Sequence, residues 1–159
     1  MSATLFVGVF LTFLKFVDSE NNATACPRGC DCDGDLTTPG SQLTFDCMQG
    51  LPHINEEQLT HQLNSILSTD PFIERLTVLT IRNTPLTHVP ASICKLVNLN
   101  SLNLDHSRLI SLPDNCFTKL TKLATLSVQR NSISGLQDGL FDGMQHLVCL
   151  LYTSPSPRD

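Results

Sequence analysis

Tryptophan is absent from this 159-residue chain, and tyrosine occurs once. A carbohydrate cleft built from aromatic faces is therefore not expected. Positive charge is scarce as well. Ten Lys and Arg stand against fifteen Asp and Glu, giving a net charge of −5. That balance argues against a nucleic-acid partner, which needs a basic footprint. Catalytic signatures are missing: there is no H-E-x-x-H, no G-x-S-x-G and no phosphate-binding loop. The five histidines have no metal-ligand spacing. His53 and His61 fall on or near a predicted helix, and His88 and His146 fall outside the predicted strands, so all four read as surface residues. Neither an enzyme nor a cofactor is expected. The apolar run from Leu5 to Leu14 is also too short for a membrane span, which needs roughly 20 residues.

That run is followed by Lys15 and then by Val17-Asp18-Ser19, a cleavage-site pattern. Residues 1–19 read as a secretory signal peptide. Export implies an extracellular, oxidising setting, in which cysteines pair. The chain has seven of them, a high count for its length. Asn22-Ala23-Thr24 is the one glycosylation sequon, so Asn22 is the candidate modified residue.

Internal repetition decides the fold. Segments starting at Leu76, Leu99 and Leu123 carry apolar residues at the same places. The first set is Leu76, Leu79, Ile81, Leu86, Val89, Ile93 and Leu96; the second is Leu99, Leu102, Leu104, Leu109, Leu112, Phe117 and Leu120; the third is Leu123, Leu126, Val128, Ile133, Leu136, Phe141 and Met144. Repeats are thus expected at 76–98, 99–122 and 123–146, with another opening at Leu147. Leu79-Thr80-Ile81 and Leu102-Asn103-Leu104 alternate as strands do, and Pro90 and Pro113 break any long helix. The pattern is that of the leucine-rich repeat, L-x-x-L-x-L-x-x-N-x-L. The resemblance implies an α/β solenoid: a right-handed horseshoe with a parallel concave sheet, closed in front by a disulfide cap. Only Asn131 fills the asparagine position, where Thr84 and Ser107 stand in the other units, so a weaker inter-repeat ladder is expected.

Ahead of the repeats, residues 20–54 hold Cys26, Cys30, Cys32 and Cys47. Four cysteines allow three pairings. A zinc site is disfavoured by the C-x-C spacing and by export. With Pro27, Cys30-Asp31-Cys32 and Leu51, the segment resembles the cysteine-rich N-terminal flank of extracellular leucine-rich repeat proteins. That resemblance implies the pairs Cys26–Cys32 and Cys30–Cys47. Residues 55–75 read as a capping helix and connector. Asn55 and Gln58 form a capping pair, Glu56 and Glu57 suit a helix start, and Leu59, Leu63, Ile66 and Leu67 make one apolar stripe before Asp70-Pro71. The helix is expected to pack on the convex side rather than to protrude as a recognition element. Cys94 and Cys116 occupy near-equivalent places on the return side. They either bond to each other or stand as two small buried residues.

The final residues, 149–159, read CLLYTSPSPRD and lose the repeat rhythm. The whole stretch is encodable in frame by the end of a transposase sequencing adapter, so it is read as an artefact joined to a longer natural chain.

Outward positions on the strands form the candidate ligand face: Thr80, Arg82 and Asn83; Asn103, Asp105 and His106; Ser127, Gln129 and Arg130. Arg82 is expected beside Asp105, and His106 beside Arg130, roughly 4.8 Å apart on neighbouring parallel strands. The face is polar and mixed in charge, which suits protein recognition; binding elsewhere on a longer protein is the other reading. On this view Asp105→Arg should weaken binding and leave the melting temperature alone. Cap plus repeats resemble the N-terminal ectodomain of extracellular leucine-rich repeat receptors, Toll-like receptors among them. The resemblance implies a protein, microbial or glycoprotein ligand, with membrane attachment only through a downstream segment. A secreted matrix or guidance protein of the Slit or small-proteoglycan kind is the alternative.

Overall fold

The structure, a computed structural model, describes residues 27, 30–35, 41–47, 55–68 and 72–153. The signal-peptide reading, Asn22 and Cys26 lie outside them, as do the side chains of Cys32 and Cys47. One six-stranded sheet runs through the described residues in the order β1-β2-β3-β4-β5-β6. The strands are β1 (Cys30–Asp35), β2 (Ser41–Cys47), β3 (Leu76–Arg82), β4 (Ser101–Asn103), β5 (Thr125–Val128) and β6 (Cys149–Tyr152). From β2 onward every neighbouring pair is parallel. Only β1 and β2 are antiparallel, as a hairpin. The repeats thus form the expected parallel sheet, and the cap adds one antiparallel strand at its edge. A two-strand cap can reverse direction within a short loop, whereas parallel neighbours need a long crossover.

The hairpin has a buried and an open side. Leu43 and Phe45 of β2 are 1% and 2% exposed. Across from them stand Gly34 and Cys32. A Cβ at Gly34 would lie 2.4 Å from the carbonyl oxygen of Gln42, so only glycine permits that approach.

Each repeat enters β3, β4 or β5 and returns through irregular backbone, with a short 3-10 turn at Ile93–Lys95 and a single-turn helix at Asp114–Phe117. Of the apolar positions that recur in the sequence, all but Leu136 and Phe141 are buried, and those two pack against the core half-exposed. The core is one continuous column because no single repeat can enclose its own leucines.

The ladder takes a specific form. Asn131, 8% exposed, donates from Nδ2 to the carbonyls of Leu104 (2.9 Å), Val128 (3.0 Å) and Gln129 (3.3 Å), and its Oδ1 accepts from the Leu109 amide at 3.1 Å. Thr84 and Ser107 cannot span that far. Their hydroxyls instead bond each other across the first two repeats at 2.6 Å. A buried pair of hydroxyls satisfies itself where one amide would reach several carbonyls.

Helix α1 (Glu56–Leu67) starts at Asn55, whose side chain accepts from the Glu57 amide. Its stripe of Leu59, Leu63, Ile66 and Leu67 is buried. Two polar ties fix it to the return path of the first repeat: Glu56 Oε1 accepts from the Thr87 amide at 2.7 Å, and Asn64 Oδ1 from the Ser92 amide at 3.0 Å. It is a packing helix and not a protruding one. A second helix, α2 (Phe72–Arg75), leads straight into β3.

Residues 149–152 continue the sheet as β6, with Leu150 level with Leu126. The Tyr152 hydroxyl donates to the Ile133 carbonyl at 2.9 Å. The free edge of β5 templates any extended segment laid beside it, so the origin of 149–159 is a separate question from its pairing.

Candidate protein-recognition face

The sheet's outward side chains line up in rows across the strands. Backbone register sets Thr44, Thr80, Asn103 and Ser127 side by side. Two residues further along each strand come Asp46, Arg82, Asp105 and Gln129, and one residue beyond that Asn83, His106 and Arg130. This last row lies past the strands, yet the ladder continues through it. The Asn83 amide donates to the Asp105 carbonyl at 3.3 Å, and the His106 amide to the Gln129 carbonyl at 3.0 Å. The Arg130 amide donates to Thr153 Oγ1 at 2.8 Å.

Asn83, His106 and Arg130 all adopt positive φ, at 58°, 56° and 55°. The left-handed turn is thus a repeating element that swings the chain off the sheet after each strand. Holding a residue other than glycine there costs roughly 1–2 kcal/mol, which the surrounding ladder offsets.

Arg82 is in the expected row, but its partner differs. Arg82 donates from Nε to Asp46 Oδ2 at 2.8 Å, and its Nη2 lies 2.7 Å from the same oxygen. Asn83 Nδ2 donates to the other carboxylate oxygen at 2.8 Å. Arg82 therefore turns toward the cap hairpin and away from Asp105. A carboxylate that engages two donors from the first repeat fixes the hairpin to the solenoid more firmly than an isolated surface pair.

Asp105 is occupied too. Its Oδ1 accepts from Ser127 Oγ and from the Gln129 amide, both at 2.7 Å, while the Asp105 amide donates to Asn103 Oδ1 at 2.9 Å. Ser127, expected on the surface, is only 4% exposed. It alternates outward as the strand dictates, but Asp105 leans over it from the neighbouring repeat. Ser127 therefore leaves the candidate face, and Asp105 acts as a brace between two repeats. The expectation that Asp105 could be replaced without loss of stability is corrected accordingly.

What stays open to a partner is Thr80, Asn103, His106 and Gln129, which are half-buried, with Arg82 and Arg130 exposed. Sequence reasoning missed Asp46, which lies in the cap rather than in the repeat pattern. It also missed Glu56, Thr87 and His88 as a group. Glu56 Oε1 accepts from the Thr87 hydroxyl as well as from its amide, and that hydroxyl lies 2.9 Å from His88 Nδ1. The Thr87 hydroxyl bond, first, and the nearby His88 imidazole hold the Glu56 carboxyl below its ordinary value, against the opposing effect of partial burial.

On the return side Cys94 and Cys116 form a disulfide, with Cα atoms 4.7 Å apart. In the cap, Cys30 is disulfide-bonded, and the β1–β2 register places it opposite Cys47. Cys149 carries a free thiol. An open groove of about 600 Å³ lies where β3 and β4 begin. There Lys122 Nζ donates to Asn98 Oδ1 at 2.7 Å, and Asn98 Nδ2 donates to the Glu74 carbonyl at 2.9 Å. These bonds close the groove's polar groups on one another. Among the described residues no three His, Cys, Asp or Glu side chains come together as metal ligands. Among them, too, no helix is long and apolar enough to cross a membrane.

The leucine-rich repeat family model matches residues 74–133 and again 97–151. No curated protein matches the chain. Domains of this repeat type are in general protein-binding and not enzymatic.

Proposed function

We propose that this leucine-rich repeat protein is the front of an extracellular recognition receptor, of the Toll-like kind, which takes a protein or microbial glycoprotein ligand on its concave sheet. The carrying observation is the sheet itself, whose outward rows are polar and already braced from repeat to repeat by Asp46, Asp105 and Asn131. A surface fixed before binding loses little ordering entropy when it docks. The proposal includes a right-handed horseshoe curvature, export by residues 1–19 to the cell exterior, glycosylation at Asn22 and an adapter origin for 149–159. It also includes the cap pairs Cys26–Cys32 and Cys30–Cys47. The disulfide at Cys30 and its position across from Cys47 support the second pair.

A photo-crosslinking amino acid tests the face. Placed at Thr80 in the full chain on cells or in secretions, it should capture a protein partner. Placed at Asn115, which is exposed on the return side, it should not. Equal capture from both positions, or capture only from Asn115, refutes concave binding. A full-length transcript separates the receptor from the matrix or guidance alternative: a membrane span followed by a cytoplasmic TIR domain fits the first, and a stop after a second cysteine cap fits the second.

A further inference from the structure

Two carboxylates on the concave face are already engaged: Asp46 by Arg82 and Asn83, and Asp105 by Ser127 and the Gln129 amide. Beyond the ends of the strands the balance of charge reverses. Arg130 and Arg108 are exposed, and half-buried His106 stands between them in the row and the loop. Among the described residues no carboxylate pairs with any of the three. The other described acidic residues are Asp31, Asp33 and Asp35 on the cap hairpin, Glu56, Glu57 and Glu74 on helices, Asp114 at the start of the short helix of the second return path, and Asp138 and Asp142 on the third return path. In a chain of net charge −5, this rim thus sets two exposed guanidiniums, Arg108 and Arg130, against one nearby carboxylate, Asp105, which is turned onto Ser127 and the Gln129 amide.

Two further features mark this rim. His106 and Arg130 are held at positive φ, a conformation glycine would adopt without strain. The same turn occurs at Asn83, so it belongs to the repeat, and here it swings the His106 and Arg130 side chains off the sheet. Ile110, two residues beyond Arg108, is 49% exposed. Its amide donates to the Thr87 carbonyl at 3.1 Å, as that of Arg108 does to the Leu86 carbonyl at 3.0 Å. The loop is therefore fixed by the preceding repeat, and it presents a guanidinium and a bare isoleucine together.

We infer that the rim formed by His106, Arg108, Ile110 and Arg130 docks an acidic segment of a protein partner, its carboxylates on the two arginines and an apolar side chain against Ile110. A sulfated polysaccharide would satisfy the arginines and leave the isoleucine uncovered, so the exposed Ile110 favours a polypeptide. This inference rests on the reading of the concave side as a protein-recognition face, and narrows it to one edge and one charge.

The probe is a fluorescein-labelled Glu-rich peptide with a central leucine, titrated against the full chain at low ionic strength and followed by anisotropy. Arg108→Ala with Arg130→Ala should weaken binding about tenfold, the sum of two modest surface contacts. Lys95→Ala with Lys119→Ala removes the same charge from exposed return-side positions and should leave the affinity unchanged. Arg130→Gly removes the guanidinium while relaxing the left-handed turn, so a loss there is not a folding defect; Arg130→Lys should recover part of it. No binding by the unaltered chain overturns the inference, as does an equal loss in the two double variants. Tighter binding of heparin than of the peptide, with Ile110→Ser neutral, also overturns it by assigning the rim to a polysaccharide. If a partner crosslinks from Thr80 and the double arginine variant binds it unchanged, the rim inference fails and concave recognition stands.

Discussion

Asp105 offers the sharpest test of how the repeats hold together. Its Oδ1 accepts from Ser127 Oγ and from the Gln129 amide, each at 2.7 Å. Replacing Asp105 by alanine removes both bonds to a charged acceptor, each worth about 1.5–3 kcal/mol. The two donors then fare differently. Ser127 is 4% exposed, so its hydroxyl loses its acceptor where water has little access. Gln129 is half-buried, so solvent can take over its amide. Removal of the aspartate should therefore cost about 2–4 kcal/mol in total. Asp105→Asn keeps an oxygen acceptor in place and loses only the charge assistance, so about 1 kcal/mol is expected. The double variant Asp105→Ala/Ser127→Ala leaves no orphaned hydroxyl and should be less damaging than the sum of its parts, with a coupling of about 1 kcal/mol. Urea unfolding at neutral pH with disulfides intact, followed by far-ultraviolet circular dichroism, reads these differences. With a slope of roughly 1–3 kcal/mol per molar, the midpoint of Asp105→Ala should fall by about 1–2 M. A shift within about 0.5 kcal/mol of zero, the range of an uninvolved surface site, would refute the brace. It would restore Asp105 as a residue free for ligand.

Glu56 gives a pH signature. Its carboxyl is held below the ordinary 4.5 by the Thr87 bonds, so the folded state binds its proton less readily than the unfolded chain does. The stability this confers is complete above pH 4.5 and is lost as pH falls through the lowered folded value. The difference in unfolding free energy between the wild type and Glu56→Gln should accordingly shrink as pH falls below 4.5; a constant difference across that range would contradict the assignment. For the return side, Cys94→Ala/Cys116→Ala opens a crosslink of sequence separation 22. Chain entropy puts its loss at about 3 kcal/mol, and calorimetry that finds the double variant as stable as the parent would show that the bond constrains nothing.

The repeats were legible because their signal is redundant. Any single leucine among Leu76, Leu99 and Leu123 could be misread, but the first five apolar offsets are identical in all three repeats and the last two shift by one residue only in the first, so one register is admitted. Helix α1 was legible for the same reason, since its cap and its stripe agree. Polar partners on the face were not legible. The row holding Arg82 and Asp105 follows from spacing, but which neighbour Arg82 chooses depends on β2 reaching β3 from the cap, after a linker with no repeat pattern. Ser127 shows the same limit from the other side. Strand alternation correctly turns it outward, but burial depends on whether the side chain next door is long enough to lean over it. Cys94 and Cys116 lie between these cases: spacing brought them to adjacent repeats, and only backbone placement brings their Cα atoms to 4.7 Å.

Ligand recognition and lateral cohesion compete for the same side chains in a solenoid. Outward polar groups on neighbouring parallel strands sit roughly 4.8 Å apart, close enough that a carboxylate beside a hydroxyl or an amide will bond sideways rather than wait for a partner. Asp46 and Asp105 have done so, and their bonds carry the cap into the first repeat and the second repeat into the third. The hydroxyl pair of Thr84 and Ser107 adds a tie between the first and second repeats from beneath. Groups escape this fate where the chain turns away from the sheet and side chains fan apart. That happens at the left-handed residues Asn83, His106 and Arg130. Of these, Asn83 is drawn back by Asp46, while His106 and Arg130 form no ion pair with a carboxylate among the described residues. On the proposed reading, the edge therefore adds Arg108 and Arg130 to the Thr80, Asn103 and Gln129 that stay open at the centre, where Asp46 and Asp105 are committed to holding the repeats in line.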